Sequence, residues 1–121
     1  MIRRFVRAAI HNATVTEADT SPPACVRIDP ILLRAAEVLP LEEVEVVNLA
    51  TGRRFISWAE AGTEGSGEVR VHAGSEHHVR RGDIVSIISH GLLHDGQTLN
   101  HQARMITVDA KNRIVSLGQR S

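Results

Sequence analysis

The sequence predicts a mostly β protein, either a closed barrel or a sandwich. Three observations support this class. Polar and apolar residues alternate along many short segments, turn-forming residues separate the segments, and helical periodicity is clear at only one place. A chain of 121 residues is within the usual size of one domain, so we expect a single domain spanning residues 1–121.

Alternation marks the predicted strands. Residues 43–47 have the clearest pattern, because glutamates occupy one face and valines the other. Thr51-Gly52 follows as a tight turn, which predicts a hairpin with the next strand. A second turn is predicted at residues 109–112, between the last two strands. The predicted strands are residues 5–10 with 14–16, 25–28, 43–47, 54–58, 68–72, 83–88, 104–108 and 113–117.

One main helix is predicted in the first half of the chain. Asp29 is a suitable N-cap, and Pro30 fits the first helical position. Leu32 and Leu33 begin an apolar stripe, so we expect a helix over residues 30–38.

Two segments are predicted to be loops, residues 62–67 and residues 91–101. The first is rich in glycine, but it lacks the lysine and the following helix that a phosphate-binding loop requires. A short turn or second helix is expected over residues 74–79.

The composition excludes several classes of partner. Lys and Arg together number 14, as do Asp and Glu, so no basic surface is predicted for nucleic acid. No apolar run approaches the roughly 18 residues that span a membrane. The charged residues 1–7 do not resemble a signal peptide, and a single cysteine cannot form an internal disulfide. We therefore expect a cytoplasmic protein that binds neither nucleic acid nor membrane.

Seven histidines are many for so short a chain and invite a metal hypothesis. Zinc sites usually use closely spaced Cys and His pairs at both ends of a motif. His77 and His78 are adjacent and would point apart on regular structure, while His90 and His94 lack cysteine partners. We therefore predict no metal site and expect solvated loop histidines.

The segment around Cys25 is the one candidate for unusual covalent chemistry. A lone cysteine at the start of a strand is commonly a small buried hydrophobe. Here residues 21–24, Ser-Pro-Pro-Ala, form a stiff and extended approach to the thiol. A rigidly held backbone beside a nucleophile is what an intramolecular acyl shift requires. Both interpretations of Cys25 stay open at this point.

Short motifs follow one another along nearly the whole chain with a specific order and spacing. In the first half they are Met1-Ile2-Arg3, Ile10-His11, Val15-Thr16, Ala18-Asp19, Ile28-Asp29, Ala35-Ala36, Asn48, Gly52 and Arg54. In the second half they are Glu64-Gly65-Ser66-Gly67, His77, Gly82-Asp83-Ile84-Val85 and residues 106–112. Together they resemble the pyruvoyl-dependent aspartate 1-decarboxylases. The resemblance implies a double-psi β-barrel of six or seven strands with one main short helix, and a homotetramer with active sites between neighbouring subunits.

The resemblance also implies a maturation reaction. Members of that family are made as inactive precursors that cleave themselves at a Gly-Ser bond. The serine attacks the preceding carbonyl to give an ester, and β-elimination followed by hydrolysis leaves a pyruvoyl group at the new N-terminus. That ketone forms a Schiff base with the substrate amine and withdraws electrons during decarboxylation. By resemblance, cleavage here falls between Ala24 and Cys25, and the cofactor is a pyruvoyl group derived from Cys25.

Several positions depart from the family pattern. Ala24-Cys25 replaces the Gly-Ser pair, and Ser57-Trp58 replaces a Thr-Tyr pair linked to cleavage and to protonation of the product. Other departures are Ala9 for a lysine, Pro22 for a tyrosine, and His72-Ala73-Gly74-Ser75 for Asn-Gly-Ala-Ala. The retained family residues are His11, Asn48, Arg54 and His77.

The replacements preserve a set of candidate roles. Cys25 can make the same acyl shift, since a thiolate is a stronger nucleophile than a hydroxyl. Ser57 keeps the threonine hydroxyl, and His72 is the candidate acid/base in place of the missing phenol. Arg54 can clamp a carboxylate in bidentate fashion, with a structural ion pair as the alternative. The remaining candidates are His11 as a catalytic residue and Gly74, Ser75 and Trp58 as substrate-binding residues.

Two hypotheses about function follow. The first is a divergent pyruvoyl-dependent decarboxylase of aspartate or a related small amino acid that acts as a homotetramer. Its cleavage is expected to be slow or assisted by a maturation partner. The second is a non-cleaving barrel that uses the intact Cys25 thiol, or that serves a ligand-binding or structural role. Intact mass distinguishes them, because only the first loses the bond between residues 24 and 25.

Overall fold

The computed structural model describes residues 1–73 and 78–121. Within these ranges, nine strands and two short helices follow one another along the chain. They are β1 (Ile2–Thr14), β2 (Glu17–Asp19), β3 (Val26–Ile28), α1 (Pro30–Ala36), β4 (Glu43–Asn48), β5 (Arg54–Ala61), β6 (Val69–His72), β7 (Ile84–His94), α2 (Asp95–Thr98), β8 (Ala103–Val108) and β9 (Ile114–Arg120). The predicted class, a mostly β barrel with one main short helix, is confirmed. The count of six or seven strands that the resemblance implied is too low. Of the nine described strands, only β2 was absent from the predicted segments, because a strand of three residues is too short to alternate visibly.

The strands form one mixed sheet in the order β2-β6-β3-β5-β4-β7-β1-β8-β9. β1 pairs with β8, β2 with β6 and β3 with β5 in parallel, and the other described neighbours are antiparallel. The order places β6 between β2 and β3, although β6 is far from both in sequence. This interleaving brings the segment that precedes β3 next to the end of β6.

The core is aliphatic, as the low aromatic content requires. On β4, Val44 and Val46 are buried while Glu43 is exposed, as the alternation predicts. The predicted hairpin between β4 and β5 is also present. Its turn needs a residue with positive φ, which Gly52 supplies at +75°, and the Gly52 N–H donates to the Asn48 carbonyl over 2.8 Å.

Helix α1 begins as predicted and ends earlier than expected. The Asp29 carboxylate accepts a hydrogen bond from the Ile31 amide over 2.9 Å, which caps the first turn. The helix ends at Ala36 rather than Val38, because Glu37 adopts a left-handed conformation with φ of +56°.

The loop predicted at residues 91–101 is wrong. β7 extends to His94, and α2 occupies Asp95–Thr98. Residues 91–94 form a strand because the long β1 offers them partners as far as Ile2, which pairs with His94. Backbone pairing with a neighbouring strand therefore overrides the local composition.

Two further expectations concern helices. The turn or helix expected over residues 74–79 lies mostly outside the described residues, and His78 at its end is in a turn. Neither helix in the described ranges is long and apolar enough to cross a membrane.

Candidate active site

A cleft of about 460 Å³ opens beside the predicted cleavage position. It is bounded by the segment before β3, by strand β5 and by the end of β6. Three of the predicted site residues, Ala24, Ser57 and Trp58, lie in its wall. The full lining is Ala24, Leu41, Glu43, Ile56, Ser57, Trp58 and Ala73. The fold therefore brings the predicted cleavage position and the Ser57-Trp58 pair to one place.

Strand β5 presents two different groups to this cleft. Ser57 is 8% exposed, and its hydroxyl has no hydrogen-bond partner within the described part of the chain. Trp58 is partly exposed, and its indole Nε1–H donates to the Glu60 carboxylate over 3.1 Å. The hydroxyl can therefore contact a group bound in the cleft, whereas the indole proton is already engaged.

Cys25 is buried next to the cleft, with only 2% of its surface exposed. The His72 backbone N–H donates to its carbonyl oxygen over 2.9 Å and fixes the backbone at this point. Burial raises the pKa of the Cys25 thiol, and the charges of Glu60 and Asp19 add to the effect while Arg27 opposes it. At neutral pH the side chain is therefore a protonated thiol.

His72 belongs to a polar cluster on β6 and the adjacent strand β2. Its Nδ1 lies 2.8 Å from Asp19 Oδ1. Arg70 donates to the other carboxylate oxygen through Nε at 2.9 Å and through its terminal nitrogen at 2.8 Å. Burial alone would raise the pKa of Asp19, but hydrogen bonds from Arg70, His72 and the Ser21 amide outweigh it and lower the pKa to about 2. Asp19 is therefore an anion throughout the physiological range.

Two predicted residues lie apart from the cleft wall. Arg54 is at the start of β5, with a largely exposed side chain that lies 3.6 Å from the Glu45 carboxylate. His11 is exposed on β1, where it pairs with Thr107 of β8. Neither residue lines the cleft of this chain. Their assigned roles therefore stay predictions.

The candidates Gly74 and Ser75 lie outside the described residues, as does the retained His77. The segment that contains them follows directly from Ala73, which is in the cleft wall. Their roles in substrate binding also stay predictions.

Sequence reasoning missed the main partner of His72. Asp19 appeared there only within a family-like motif, with no role attached. Its contact with His72 joins residues 53 positions apart and depends on the parallel pairing of β2 with β6. The cleft residues Glu43 and Ala73 were also not singled out. Among these missed residues, only Asp19 could have been noticed from its local sequence, because it is a carboxylate at the end of a short polar segment.

Metal ligation is not suggested by the arrangement of the side chains. Within residues 1–73 and 78–121, no group of three or more His, Cys, Asp or Glu side chains is placed to hold a metal ion. The polar cluster around Asp19 instead pairs an anion with a guanidinium and an imidazole. Such a cluster can move a proton at His72.

The family model for aspartate decarboxylase matches residues 1–115. The matched range contains all residues that line the cleft, together with Asp19, Cys25 and His72. The resemblance seen in the sequence is thus confirmed, and the chain belongs to the aspartate decarboxylase family.

Proposed function

We propose that this protein is a pyruvoyl-dependent decarboxylase of aspartate or a related small amino acid, matured by self-cleavage between Ala24 and Cys25. Family membership supports the coarser activity, that of an amino-acid carboxy-lyase. The observation that supports self-cleavage is the setting of the scissile bond. Ala24 lies in the cleft wall, and the adjacent thiol is buried with 2% exposure, so its nearest electrophile belongs to its own chain.

The cleavage reaction balances with water as the one added reactant. Cys25 Sγ attacks the Ala24 carbonyl carbon, the C–N bond breaks as the C–S bond forms, and the thiol proton passes to the released amine. Loss of the Cα proton of residue 25 then expels the Ala24 end as a thiocarboxylate. Addition of water to the resulting enamine carbon releases ammonia and leaves a ketone at residue 25. No oxidant is needed.

The residues present fit a pyruvoyl group at position 25. The His72 N–H that now binds the Cys25 carbonyl would hold the same carbonyl after cleavage. The Ser57 hydroxyl has no partner among residues 1–73 and 78–121, lies in the wall beside Ala24 and can donate to an oxygen in the cleft. When formed, the group supplies a ketone that takes up the substrate amine and withdraws electrons from the bond to the departing carboxylate.

Arg54 is the proposed clamp for a substrate carboxylate. Its present partner Glu45 is 3.6 Å away, and the pair is exposed on the arginine side. Exposed ion pairs contribute little to stability, so a substrate carboxylate can replace Glu45 at low cost. Arg54→Lys should weaken substrate binding despite the retained charge, because an ammonium lacks the planar fork of the guanidinium. Unchanged substrate affinity in a folded variant would favour the structural ion pair instead.

A homotetramer would complete the site. The wall of the cleft carries three exposed apolar side chains, Leu41, Ile56 and Trp58. Contiguous exposed apolar surface commonly marks an interface. A neighbouring subunit placed there would cover the open side of the cleft and could contribute Arg54. Light scattering at micromolar concentration tests this, and a stable monomer would argue against it.

Denaturing mass spectrometry of the purified full chain tests self-cleavage directly. We expect fragments 1–24 and 25–121, the second having lost sulfur and being reducible by borohydride in the presence of an amine. Cys25→Ala should stay intact, and Ala24→Gly should cleave faster, because glycine reaches backbone conformations that alanine resists. A single intact species that keeps an alkylatable thiol after prolonged warming would contradict the proposal. It would favour the non-cleaving alternative, a thiol-based, ligand-binding or structural role.

A further inference from the structure

Three side chains form one row across the strands β2, β6 and β3. Asp19 pairs with His72 in the parallel register of β2 and β6. Val26 pairs with Val71 in the antiparallel register of β3 and β6, and the next position places Cys25 opposite His72. Side chains directly opposite one another on antiparallel strands have Cβ atoms roughly 5 Å apart. Since both valines are in the core, Cys25 and His72 share the other face.

We propose that Asp19 and His72 form a relay that activates the Cys25 thiol, with His72 as the base and Asp19 as its positioning residue. The inference rests on the proposed self-cleavage and adds to it a source of the thiolate. Neither the family resemblance nor the cleft lining assigned a role to Asp19. The order carboxylate, imidazole, nucleophile is the arrangement that many nucleophilic enzymes use on unrelated folds.

The hydrogen bond to Asp19 determines what His72 can do. With the carboxylate 2.8 Å from Nδ1, the imidazole proton lies on Nδ1 and the Nε2 lone pair is left to accept a proton. Within the described part of the chain, Nε2 has no other hydrogen-bond partner. Nε2 takes the Sγ proton as the thiol attacks the Ala24 carbonyl and returns it to the departing amine. The Asp19 carboxylate stabilises the imidazolium that exists between the two transfers.

The electrostatic setting explains why the thiol needs such a base. Besides His72, the charged groups that act on the Cys25 thiol are the carboxylates of Asp19 and Glu60 and the guanidinium of Arg27. Burial and the two carboxylates raise the pKa of the thiol, so spontaneous ionisation is rare. Arg70 neutralises much of the Asp19 charge while leaving its second oxygen on His72. A nearby imidazole can therefore supply a thiolate that the environment alone disfavours.

The main test compares cleavage rates of four variants by intact mass across a range of pH. His72→Gln should slow cleavage by roughly a hundredfold or more and remove the part of the pH profile that reports a titrating base. Asp19→Asn should slow it by roughly tenfold or more, because the amide can favour the wrong tautomer, and Asp19→Glu should recover part of the rate. Arg70→Gln is the matched control, since it removes the ion pair of Asp19 but leaves the contact with His72. Wild-type kinetics in Asp19→Asn, or an equal loss in Arg70→Gln, would overturn the relay.

A second readout separates failure of the relay from failure of self-cleavage. If the wild-type chain does not cleave, the proposed function fails, and the relay is tested by alkylation of Cys25 with iodoacetamide from about pH 6 to about pH 10. The pH midpoint of alkylation should rise in His72→Gln and in Asp19→Asn, because the base or its positioning carboxylate is lost. A charge effect alone predicts the opposite for Asp19→Asn, since that carboxylate raises the pKa of the thiol. Equal midpoints would overturn the relay. Should Asp19→Asn not fold, nitrogen NMR of His72 in the Cys25→Ala chain decides: the Nδ1–H tautomer is expected, and the Nε2–H tautomer would overturn it.

Discussion

Two aspartates ten positions apart, Asp19 and Asp29, differ in role because their hydrogen-bond partners differ. Asp29 is 3% exposed and accepts hydrogen bonds from the amides of Ile31 (2.9 Å), Gly65 (3.1 Å) and Gly67 (2.8 Å). Asp19 is more accessible and its side-chain partners are an arginine and a histidine. Backbone amides neither titrate nor move, so the first carboxylate fixes the fold. An imidazole can carry a proton, so the second can take part in chemistry.

The first region also explains the glycine-rich segment 62–67. Its amides are directed to an internal anion, the Asp29 carboxylate, rather than to a phosphate. Asn112, with φ of +60°, closes the same region by donating to the Gly67 carbonyl over 2.7 Å and to the Thr14 carbonyl over 2.8 Å. Hydrogen bonds from side chains to the backbone thus connect the start of helix α1, the loop at residues 62–67 and the turn between β8 and β9.

The largest expected effect follows from removing the structural carboxylate. Asp29→Ala leaves three amides without their charged acceptor and should lower the free energy of unfolding by about 3–4 kcal/mol. Asp19→Ala should lower it less, because the guanidinium of its partner Arg70 is partly exposed and can turn towards water. Urea denaturation of both variants in a Cys25→Ala background, at one protein concentration, measures the difference. Equal losses would remove the distinction between the two regions.

Two glycines of the loop around Asp29, Gly65 and Gly67, differ in how closely other atoms approach them. A Cβ on Gly67 would lie 2.5 Å from the Lys111 carbonyl oxygen, and its φ is +73°. Gly65 has a similar φ of +79°, but a Cβ there meets nothing within 4 Å. Gly67→Ala should therefore lower the unfolding free energy by about 3 kcal/mol and Gly65→Ala by about 1 kcal/mol, both measured by urea denaturation. Similar losses would mean that φ alone, without the close approach of Lys111, sets the cost.

The pH dependence of stability distinguishes the Asp19 cluster. The pKa of Asp19 is lowered from 3.8 to about 2 in the folded chain. The ionised carboxylate therefore contributes fully to stability above about pH 4, and this contribution is lost as the pH falls through about 2. Asp19→Asn should therefore lose less stability than its parent over that interval. The comparison is made by urea denaturation at several pH values in the Cys25→Ala background. If the unfolding free energies of variant and parent change in parallel with pH, the cluster does not stabilise the ionised Asp19 carboxylate in the folded state.

The pattern of strands was largely predictable because it depends on neighbours in sequence. The alternation on β4, the turn at Gly52 and the cap at Asp29 are all short-range effects, and each was predicted. The extension of β7 through residues 91–94 was not predicted, because it depends on pairing with β1.

The candidate site divides in the same way. Ala24, Ser57 and Trp58 could be named from family-like positions, and they line one cleft. Asp19 could not be given a role, because its contact with His72 arises from the order of strands in the sheet. A residue pattern states which groups are present, whereas proton transfer depends on which strands are neighbours.

The smallest expected effect concerns Ser57, which lies in the cleft wall but outside the Asp19 row. Its hydroxyl can rotate among several positions, whereas a β-branched threonine is held in fewer rotamers. Ser57→Thr should therefore speed cleavage by roughly two- to fivefold, and Ser57→Ala should slow it, if the hydroxyl donates to the Ala24 carbonyl during attack. Ser57→Val is the matched control, since it has the shape of threonine without the hydroxyl. Intact mass against time gives the rates, and a valine variant as fast as the threonine variant would show that packing, and not hydrogen bonding, is the contribution of this position.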